Sequence, residues 1–146
     1  MAQIIAIDPG THKCGLLIAD IDKEIVIDAK VSPPNSVLDL INVWGNKYSI
    51  QLTLLGNGTN SSYWYSKLLP QNISPIRLVD ERGTTFRARS RYWEIYPPNL
   101  LLRLLPKGMW LPPNNLDTIS ALVLLEDYLE KKILWPDQVG FKTWPE

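Results

Sequence analysis

Acidic residues follow apolar, β-favouring runs at two distant places in this chain. Asp8 ends such a run near the start, and Asp80 and Glu81 end another in the middle. A third acid, Asp117, opens a long apolar stretch with helical periodicity. Strands of this kind hold their acids at the edge of a sheet, where negative charge would collect only around a cation or a phosphate group. The pattern therefore predicts a metal site.

Each of these acids also has a purely structural interpretation. Asp8 precedes a Pro-Gly pair and could initiate a turn. Asp117 could cap a helix and interact with its dipole. Side chains alternate along a strand, so Asp80 and Glu81 are expected on opposite faces, and only one of them can face the site. Asp80 could instead cap the next helix or pair with Arg82.

Length and composition indicate the general class of protein. The 146 residues include 45% hydrophobic residues, which is typical of one globular domain. The single Cys14 excludes an internal disulfide, and the first residues lack the basic start of an export signal. No stretch approaches the roughly 18 apolar residues of a membrane helix. We therefore expect a cytoplasmic protein that makes no membrane contact.

Positive charge is concentrated in one part of a chain whose formal net charge is zero. All six arginines lie between residues 77 and 103, Lys107 follows them, and Glu94 is the only acid between residues 82 and 107. Such a patch could bind phosphate groups without a basic average composition. A solvated helix face that aids solubility explains the same clustering equally well.

The order of predicted elements indicates an α/β fold. Three strands that form a meander come first, and two helix–strand units and two longer helices follow. The strands are predicted over residues 2–8, 14–19, 24–31, 51–55 and 76–79. Parallel strands need helical crossovers, so this order predicts a five-stranded mixed sheet, a three-strand meander plus two parallel strands, flanked by helices.

The second half of the chain is predicted to be mainly helical. Helices are expected after a cap at residues 35–36, over 61–69, from Thr84, over a leucine-rich stretch at 99–105, and from Asp117 to about 131. Residues 135–146, with prolines and tryptophans, are predicted to form an extended tail outside a domain of residues 1–134.

This order, with an Asp that closes strand one before a glycine-containing turn, resembles the ribonuclease H superfamily. Within it, the chain is similar to RuvC-like resolvases and, more closely, to the YqgF group of Holliday junction resolvase-like and pre-16S ribosomal RNA processing nucleases. The matching residues are Asp8-Pro9-Gly10 with Lys13 and Gly15, Val79-Asp80-Glu81-Arg82 with Thr84, Thr85 and Ala88, and Asp117 with Ala121.

The resemblance implies a nuclease in which Asp8, Glu81 and Asp117 are both the catalytic residues and the ligands of one or two Mg²⁺ or Mn²⁺ ions. In two-metal catalysis, one ion activates the attacking water and the other neutralises the leaving oxygen. Such ions use few protein carboxylates, keep several waters and bind substrate phosphates. Its implied substrates are structured RNA, as in pre-16S ribosomal RNA, or branched DNA, as in a Holliday junction. A symmetric four-way junction would favour a homodimer.

Basic residues near the three acids are the candidates for nucleic-acid binding. They are Lys13, Arg82, Arg87 and Arg91. Lys13 follows the first motif, and the three arginines belong to the second motif and the helix after it. A lysine or arginine can contact a phosphate directly, although a solvated turn explains Lys13 as well.

The chain departs from the RuvC-like pattern at two places. Asn114 stands where those resolvases carry the first of two acids at the last helix. Gly56-Asn57-Gly58 stands where they carry the middle acid, and Glu81 comes one strand later, about 4.8 Å further from Asp8. The loop of residues 56–60, including the Thr59 hydroxyl, could bind a phosphate or be a plain turn.

Two other functions remain open from the sequence. One is a non-catalytic domain that keeps the ribonuclease H fold and binds nucleic acid or protein. The other follows from the resemblance of residues 7–11 to the first phosphate motif of actin-like ATPases and sugar kinases. Those proteins close two such domains around a nucleotide, and this chain has room for one.

Overall fold

The computed structural model of the protein describes residues 2–58 and 60–146, so the role considered for Thr59 lies outside the described residues. Within these ranges a single sheet contains six strands in the order β5-β4-β1-β2-β3-β6. The strands are β1 (Gln3–Asp8), β2 (Cys14–Asp20), β3 (Ile25–Ser32), β4 (Ile50–Gly56), β5 (Ile76–Val79) and β6 (Lys142–Thr143).

The first five strands confirm the predicted mixed sheet. Strands β1, β2 and β3 form an antiparallel meander, in which Asp8 pairs with Gly15. Strand β4 is parallel to β1, and β5 is parallel to β4. The carboxyl ends of the three parallel strands therefore meet at one edge of the sheet, where the acids of the first two motifs lie.

Helices cover both faces of this sheet. In the described part of the chain they are α1 (Val37–Lys47), α2 (Ser61–Leu68), α3 (Thr84–Ile95), α4 (Leu100–Arg103) and α5 (Asp117–Leu129). None of these helices has the length and apolar character needed to cross a membrane. The sheet is thus the middle layer of three, with a hydrophobic core on each side.

The two cores follow from the alternation of side chains along β1. Ile4 and Ala6 pack with α3 and α5 in one core. Ile5 and Ile7 pack with α1 and α2 in the other. Because side chains alternate with a period of two, Asp8 lies on the same face as Ile4 and Ala6. Asp8 is therefore directed towards the layer of α3 and α5.

The C-terminal segment is more ordered than the predicted extended tail. Lys142 and Thr143 pair in parallel with β3, so the predicted count of five strands was short by one. Trp135 and Val139 are buried, and Phe141 packs against Trp135. A two-residue strand is too short to show alternation, so no sequence pattern predicts it. The proposed division into residues 1–134 and a tail stays a prediction.

Helix α5 lies very close to β2 at Gly15. A Cβ atom at Gly15 would overlap the carbonyl group of Asp117 and would lie 2.9 Å from the backbone nitrogen of Thr118. Only glycine permits this approach, since any side chain would push the first turn of α5 away from the sheet. Because Gly15 pairs with Asp8, the contact also brings Asp117 beside Asp8.

We expect Gly15→Ala to lower the free energy of unfolding by about 3 kcal/mol, because the added methyl group meets backbone that cannot rotate away. Urea denaturation measures this change. Gly108→Ala is the matched control, since a Cβ there has no atom within 4 Å. An equal effect of the two substitutions would contradict the close packing of α5 on β2.

Candidate active site

The side chains of Asp8 and Glu81 meet at the carboxyl edge of the sheet. Asp8 ends β1, and Glu81 follows β5, with β4 between the two strands. The Glu81 side chain extends across the end of β4 and comes within hydrogen-bonding reach of Asp8. The additional strand spacing expected from the sequence is thus bridged by the longer side chain of a glutamate.

Two glycines at the end of β4 make room for Glu81. A Cβ at Gly58 would overlap the Glu81 carboxylate, and its three nearest atoms all belong to that side chain. A Cβ at Gly56 would overlap Oε2 of Glu81 and lie 3.2 Å from Leu124 and Pro9. The Gly-x-Gly sequence, interpreted above as a departure or a phosphate loop, therefore forms a cradle for the acid of the neighbouring strand.

The backbone around Glu81 is fixed by the start of α3. The Glu81 carbonyl accepts hydrogen bonds from the backbone nitrogen of Thr84, at 3.2 Å, and from its hydroxyl, at 2.8 Å. The neighbouring Asp80 is exposed and binds Arg82 through both the backbone nitrogen, at 3.0 Å, and Nε, at 3.2 Å. Alternation thus places Glu81 inward, and Asp80 pairs with Arg82, which is one of the two roles expected for it.

Burial and mutual repulsion perturb the acid pair. Four effects raise the pKa of Asp8 to about 7. The largest is burial, followed by the charge of Glu81, the hydrogen bond with Glu81 and the charge of Asp117. Burial also raises the pKa of Glu81, while the hydrogen bond from Asp8 lowers it. Two carboxyl groups within hydrogen-bonding reach of each other cannot both ionise unless a cation lies beside them. Near neutral pH the pair therefore holds a proton or a metal ion.

Asp117 lies next to the pair without joining it. Its backbone packs on Gly15, and its backbone nitrogen donates to Oδ1 of Asn115 at 2.7 Å. Its charge contributes to the raised pKa of Asp8. Across residues 2–58 and 60–146, however, no three His, Cys, Asp or Glu residues form a group that could hold a metal ion. The arrangement is therefore a close pair of acids with a third acid nearby.

Asn114 does not replace the missing acid at this site. Its side-chain nitrogen lies 3.3 Å from the hydroxyl oxygen of Tyr92 on α3 and donates to it. Asn114 stands where RuvC-like resolvases carry the first of their two acids. Its amide is thus hydrogen-bonded to helix α3. It makes no hydrogen bond to Asp8, Glu81 or Asp117 within the described residues.

The donors at this edge fit a hard divalent cation. Oε2 of Glu81 is buried and has no hydrogen-bond partner among the described residues. A buried carboxylate oxygen without a partner is costly, and a bound cation would satisfy it. Mg²⁺ commonly uses one or two carboxylates and keeps several waters, so the Asp8–Glu81 pair suffices as its protein ligands. The residues present therefore fit Mg²⁺ or Mn²⁺.

The four predicted nucleic-acid-binding residues do not form one patch. Lys13 is exposed in the turn between β1 and β2, and Arg82 is 93% exposed beside Asp80. Arg87 binds Asp127 of α5 at 2.7 Å. Lys13 and Arg82 thus present cations to solvent at the turns that carry Asp8 and Glu81, whereas Arg87 links two helices.

Arg91 has a structural role. Its guanidinium makes a bidentate, largely buried ion pair with Glu126 of α5, with distances of 2.9 to 3.2 Å, and also donates to the carbonyl of Ile133. Arg89 similarly donates to the carbonyls of Gly108 and Trp110. Much of the arginine cluster therefore holds helices and loops together, a use that sequence clustering alone does not distinguish from a phosphate-binding patch.

Two solved structures with a similar fold are resolvases. T. thermophilus RuvC, solved in complex with a Holliday junction substrate, aligns with 13% identity and a TM-score of 0.50 over 92% of this chain and 100% of its own. A Fowlpox virus resolvase, solved with its substrate Holliday junction DNA, aligns with 14% identity and a TM-score of 0.52 over 88% of this chain and 97% of its own.

Sequence comparisons add no closer relative. No protein-family model matches the chain, and no curated protein matches it. At 13% and 14% identity, the two structural alignments establish the fold. The chain therefore has a RuvC-like fold of the ribonuclease H type, as its sequence resemblance implied.

We expect the unfolding free energy of the metal-free protein to fall as the pH rises from about 4 to 7. The folded pKa of Asp8, about 7, exceeds its value in the unfolded chain, so the folded state binds more protons in this range. Asp8→Asn should remove most of this dependence and be more stable than the parent at pH 8 by about 1 to 3 kcal/mol. Urea denaturation at several pH values, with a chelator present, measures both effects.

Asp39→Asn is the control for this experiment, since Asp39 is an exposed acid on α1, on the other face of the sheet from Asp8. This variant should keep the pH dependence of the parent. A parent protein whose stability is constant between pH 5 and 8 would contradict the buried acid pair.

We expect Gly58→Ala to flatten the same pH profile, because the new methyl group displaces the Glu81 carboxylate and so lowers the pKa of Asp8. In a Glu81→Ala background the substitution should have no further effect, since the group that it displaces is gone. Denaturation of the two single variants and the double variant measures this coupling. Additive effects would show that Gly58 acts independently of Glu81.

Proposed function

We propose that this protein is a divalent-metal-dependent nuclease that hydrolyses phosphodiester bonds in branched DNA. The observation that carries this proposal is the partly buried Asp8–Glu81 pair, which has a raised pKa and a buried oxygen without a partner among the described residues, at the edge of a RuvC-like sheet. When both of its acids are ionised, such a pair is destabilising unless it binds a cation. Strained acid pairs of this kind are typical of functional sites.

In this mechanism Asp8 and Glu81 would hold Mg²⁺ or Mn²⁺, with Asp117 as the third acid of the site. When bound, the metal would supply an activated water and neutralise charge on the leaving oxygen. The glycine cradle orients Glu81, and the contact of α5 with Gly15 keeps Asp117 beside Asp8. The burial of Asp8 limits the access of bulk water, which strengthens the interaction of the pair with a cation.

Lys13 and Arg82 would hold the substrate backbone. Both are exposed, and each lies in a turn that directly follows a site strand. Arg87 would bind a phosphate of the substrate only if its ion pair with Asp127 broke, and Arg91 only if its ion pair with Glu126 broke. Contacts between cations and phosphates position a nucleic acid without reading its sequence, so we propose recognition of branched shape.

Branched DNA is the substrate class favoured by the likeness to resolvases that were solved with Holliday junctions. The YqgF-like alternative, processing of pre-16S ribosomal RNA, uses the same acids and the same metal. A homodimer would place two such sites symmetrically about the two-fold axis of a four-way junction.

A second candidate is a domain that binds nucleic acid without cutting it. The observation that favours it is the absence, within the described residues, of a metal-binding group of three acids, together with the bonding of Asn114 to Tyr92. Such a protein would bind junctions through Lys13 and Arg82 and would show no metal-dependent chemistry.

Cleavage of a labelled Holliday junction in the presence of Mg²⁺ or Mn²⁺ distinguishes these two functions. We expect Asp8→Asn to lower the cleavage rate at least about 100-fold, because it removes a charge that stabilises the transition state through the metal. Asp39→Asn, at an exposed acid on α1, is the matched control and should keep the activity of the parent. Calorimetric titration with Mn²⁺ should show binding to the parent and to Asp39→Asn only.

Two results would overturn the nuclease proposal. Equal cleavage by the parent and by Asp8→Asn would remove the proposed site. Junction binding without cleavage, and without calorimetric uptake of Mn²⁺, would establish the binding-only function. A ribosomal RNA precursor assayed in parallel separates the two substrate classes.

A further inference from the structure

A cleft of about 360 Å³ runs along the outer face of α3. Its lining comes from α3 and from the segment after α4, and consists of Phe86, Arg89, Ser90, Trp93, Glu94, Lys107, Gly108 and Trp110. The five α3 residues recur at the spacing of three and four that places side chains on one face of a helix. The opposite face of α3, with Ala88 and Tyr92, is buried in the core. The cleft therefore opens away from the sheet, and its volume is typical of a ligand-binding pocket.

Hydrogen bonds hold the two walls of the cleft together. Nη2 of Arg89 donates to the carbonyl of Gly108 at 3.0 Å and to that of Trp110 at 2.9 Å. Nε1 of Trp93 donates to the same Trp110 carbonyl at 3.4 Å, and the two tryptophan rings meet edge to face with centroids 6.0 Å apart. These contacts fix the segment of residues 107–110 against α3, so the separation of the walls is set before any ligand binds.

Phe86 provides an exposed aromatic face in this lining. It is 76% exposed, whereas Trp93 and Trp110 are half-buried. A phenylalanine ring gains much free energy when its faces are covered, and other aromatic rings cover it in stacked or edge-to-face arrangements. The cleft is therefore suited to a flat aromatic ligand.

The charges of the lining favour a ligand that also carries an anion. Arg89 donates only to carbonyls, and neither Arg89 nor Lys107 makes an ion pair within residues 2–58 and 60–146. Glu94, the one acid of the lining, pairs with Lys132 at 2.7 Å and with Arg91 at 3.5 Å. Two cations of the cleft thus lack a carboxylate partner in the described structure. A nucleotide matches this combination, because it joins a flat ring to a phosphate.

The cleft begins close to the acid pair. Helix α3 starts at Thr84, whose backbone nitrogen and hydroxyl both donate to the carbonyl of Glu81. Phe86 lies two residues further, about 3 Å along the helix axis. The exposed Arg82 lies in the turn that joins Glu81 to this helix. The Phe86 end of the cleft is therefore a neighbouring contact for a nucleic-acid strand held at the acid pair by a phosphate.

We propose that this cleft binds one unpaired nucleobase of the substrate, next to the phosphate that is cleaved. Aromatic rings stack on any base, and arginine adds a cation–π contribution. A base inside a duplex is stacked between its neighbours, so only a base at a branch point, a bulge or a single-stranded end is free to enter. The assignment rests on the proposed nuclease function. It adds a contact with the branch itself, which contacts with phosphates do not supply.

Fluorescence anisotropy with two labelled DNA duplexes of equal length tests the proposal. One duplex contains a single unpaired adenine, and the other has an abasic nucleotide at the same position, so the two differ in one base and not in charge. A chelator prevents cleavage, and low salt favours binding. We expect the parent protein to bind the duplex with the unpaired adenine about 10-fold more tightly, which is within the range for stacking of one base.

Phe86→Ala should reduce this preference to less than about 2-fold, because the exposed ring is removed. Its affinity for the abasic duplex should stay that of the parent, since the cations remain. Ser90→Trp, at an exposed position of α3, fills the cleft and should have the same effect. It serves as the second variant in case Phe86→Ala does not fold.

Leu69→Ala is the matched control, because Leu69 is 56% exposed and directly follows α2, which packs on the other face of the sheet. It should keep the full preference for the unpaired base. Circular dichroism shows that each variant is folded. The same pair of duplexes made of RNA identifies which nucleic acid supplies the base, and a preference in either pair that Phe86→Ala removes supports the assignment.

Three results would overturn the assignment. The parent protein could bind the unpaired base and the abasic site equally in both DNA and RNA, or it could bind none of the duplexes. The third result is a preference that survives in both Phe86→Ala and Ser90→Trp. Junction cleavage without a preference for the unpaired base would overturn the base site alone. A preference for the unpaired base without junction cleavage would overturn the nuclease proposal and leave the cleft as the base site of a binding-only domain.

Discussion

The close, partly buried contact between Asp8 and Glu81 is the interaction on which the site depends. Two carboxyl groups meet behind the ends of β1 and β5, in a place where burial raises the pKa of both. The surrounding structure is arranged to allow this unfavourable contact. Glycines at 56 and 58 leave space for Glu81, and Gly15 lets α5 bring Asp117 close to Asp8. A fold selected for stability alone would not maintain such an arrangement, because an apolar pair would cost less.

The sequence predicted the architecture well because strong signals agreed. The apolar runs of β1, β2 and β4 are buried on both faces, and the intervals between strands have helical periodicity, so the meander and the parallel strands were both apparent. Strand β6 was missed because its two residues have no pattern of their own. It is held by neighbours such as Phe141, which packs against aromatic residues from distant parts of the chain.

The candidate site was predictable in its residues and not in its geometry. The acids at 8, 80 and 81 were identified at strand ends, and the resemblance favoured Glu81 over Asp80. The cradle of Gly56 and Gly58 depends instead on a contact between neighbouring strands that no local pattern encodes. The arginines illustrate the opposite difficulty. Their clustering was equally compatible with a phosphate-binding patch and with a solvated helix face, whereas Arg91 forms a largely buried ion pair with Glu126. Such pairs depend on which helices meet, and that is decided by the whole fold.

The ionisation of Asp8 tests this account most directly. Selective ¹³C labelling of aspartate allows the side-chain carboxyl carbon of Asp8 to be followed by NMR as a function of pH, first with a chelator and then with Mg²⁺. We expect a pKa near 7 without metal and a much lower pKa with Mg²⁺, since the cation competes with the proton. A titration near pH 4 that is unchanged by Mg²⁺ would contradict this account.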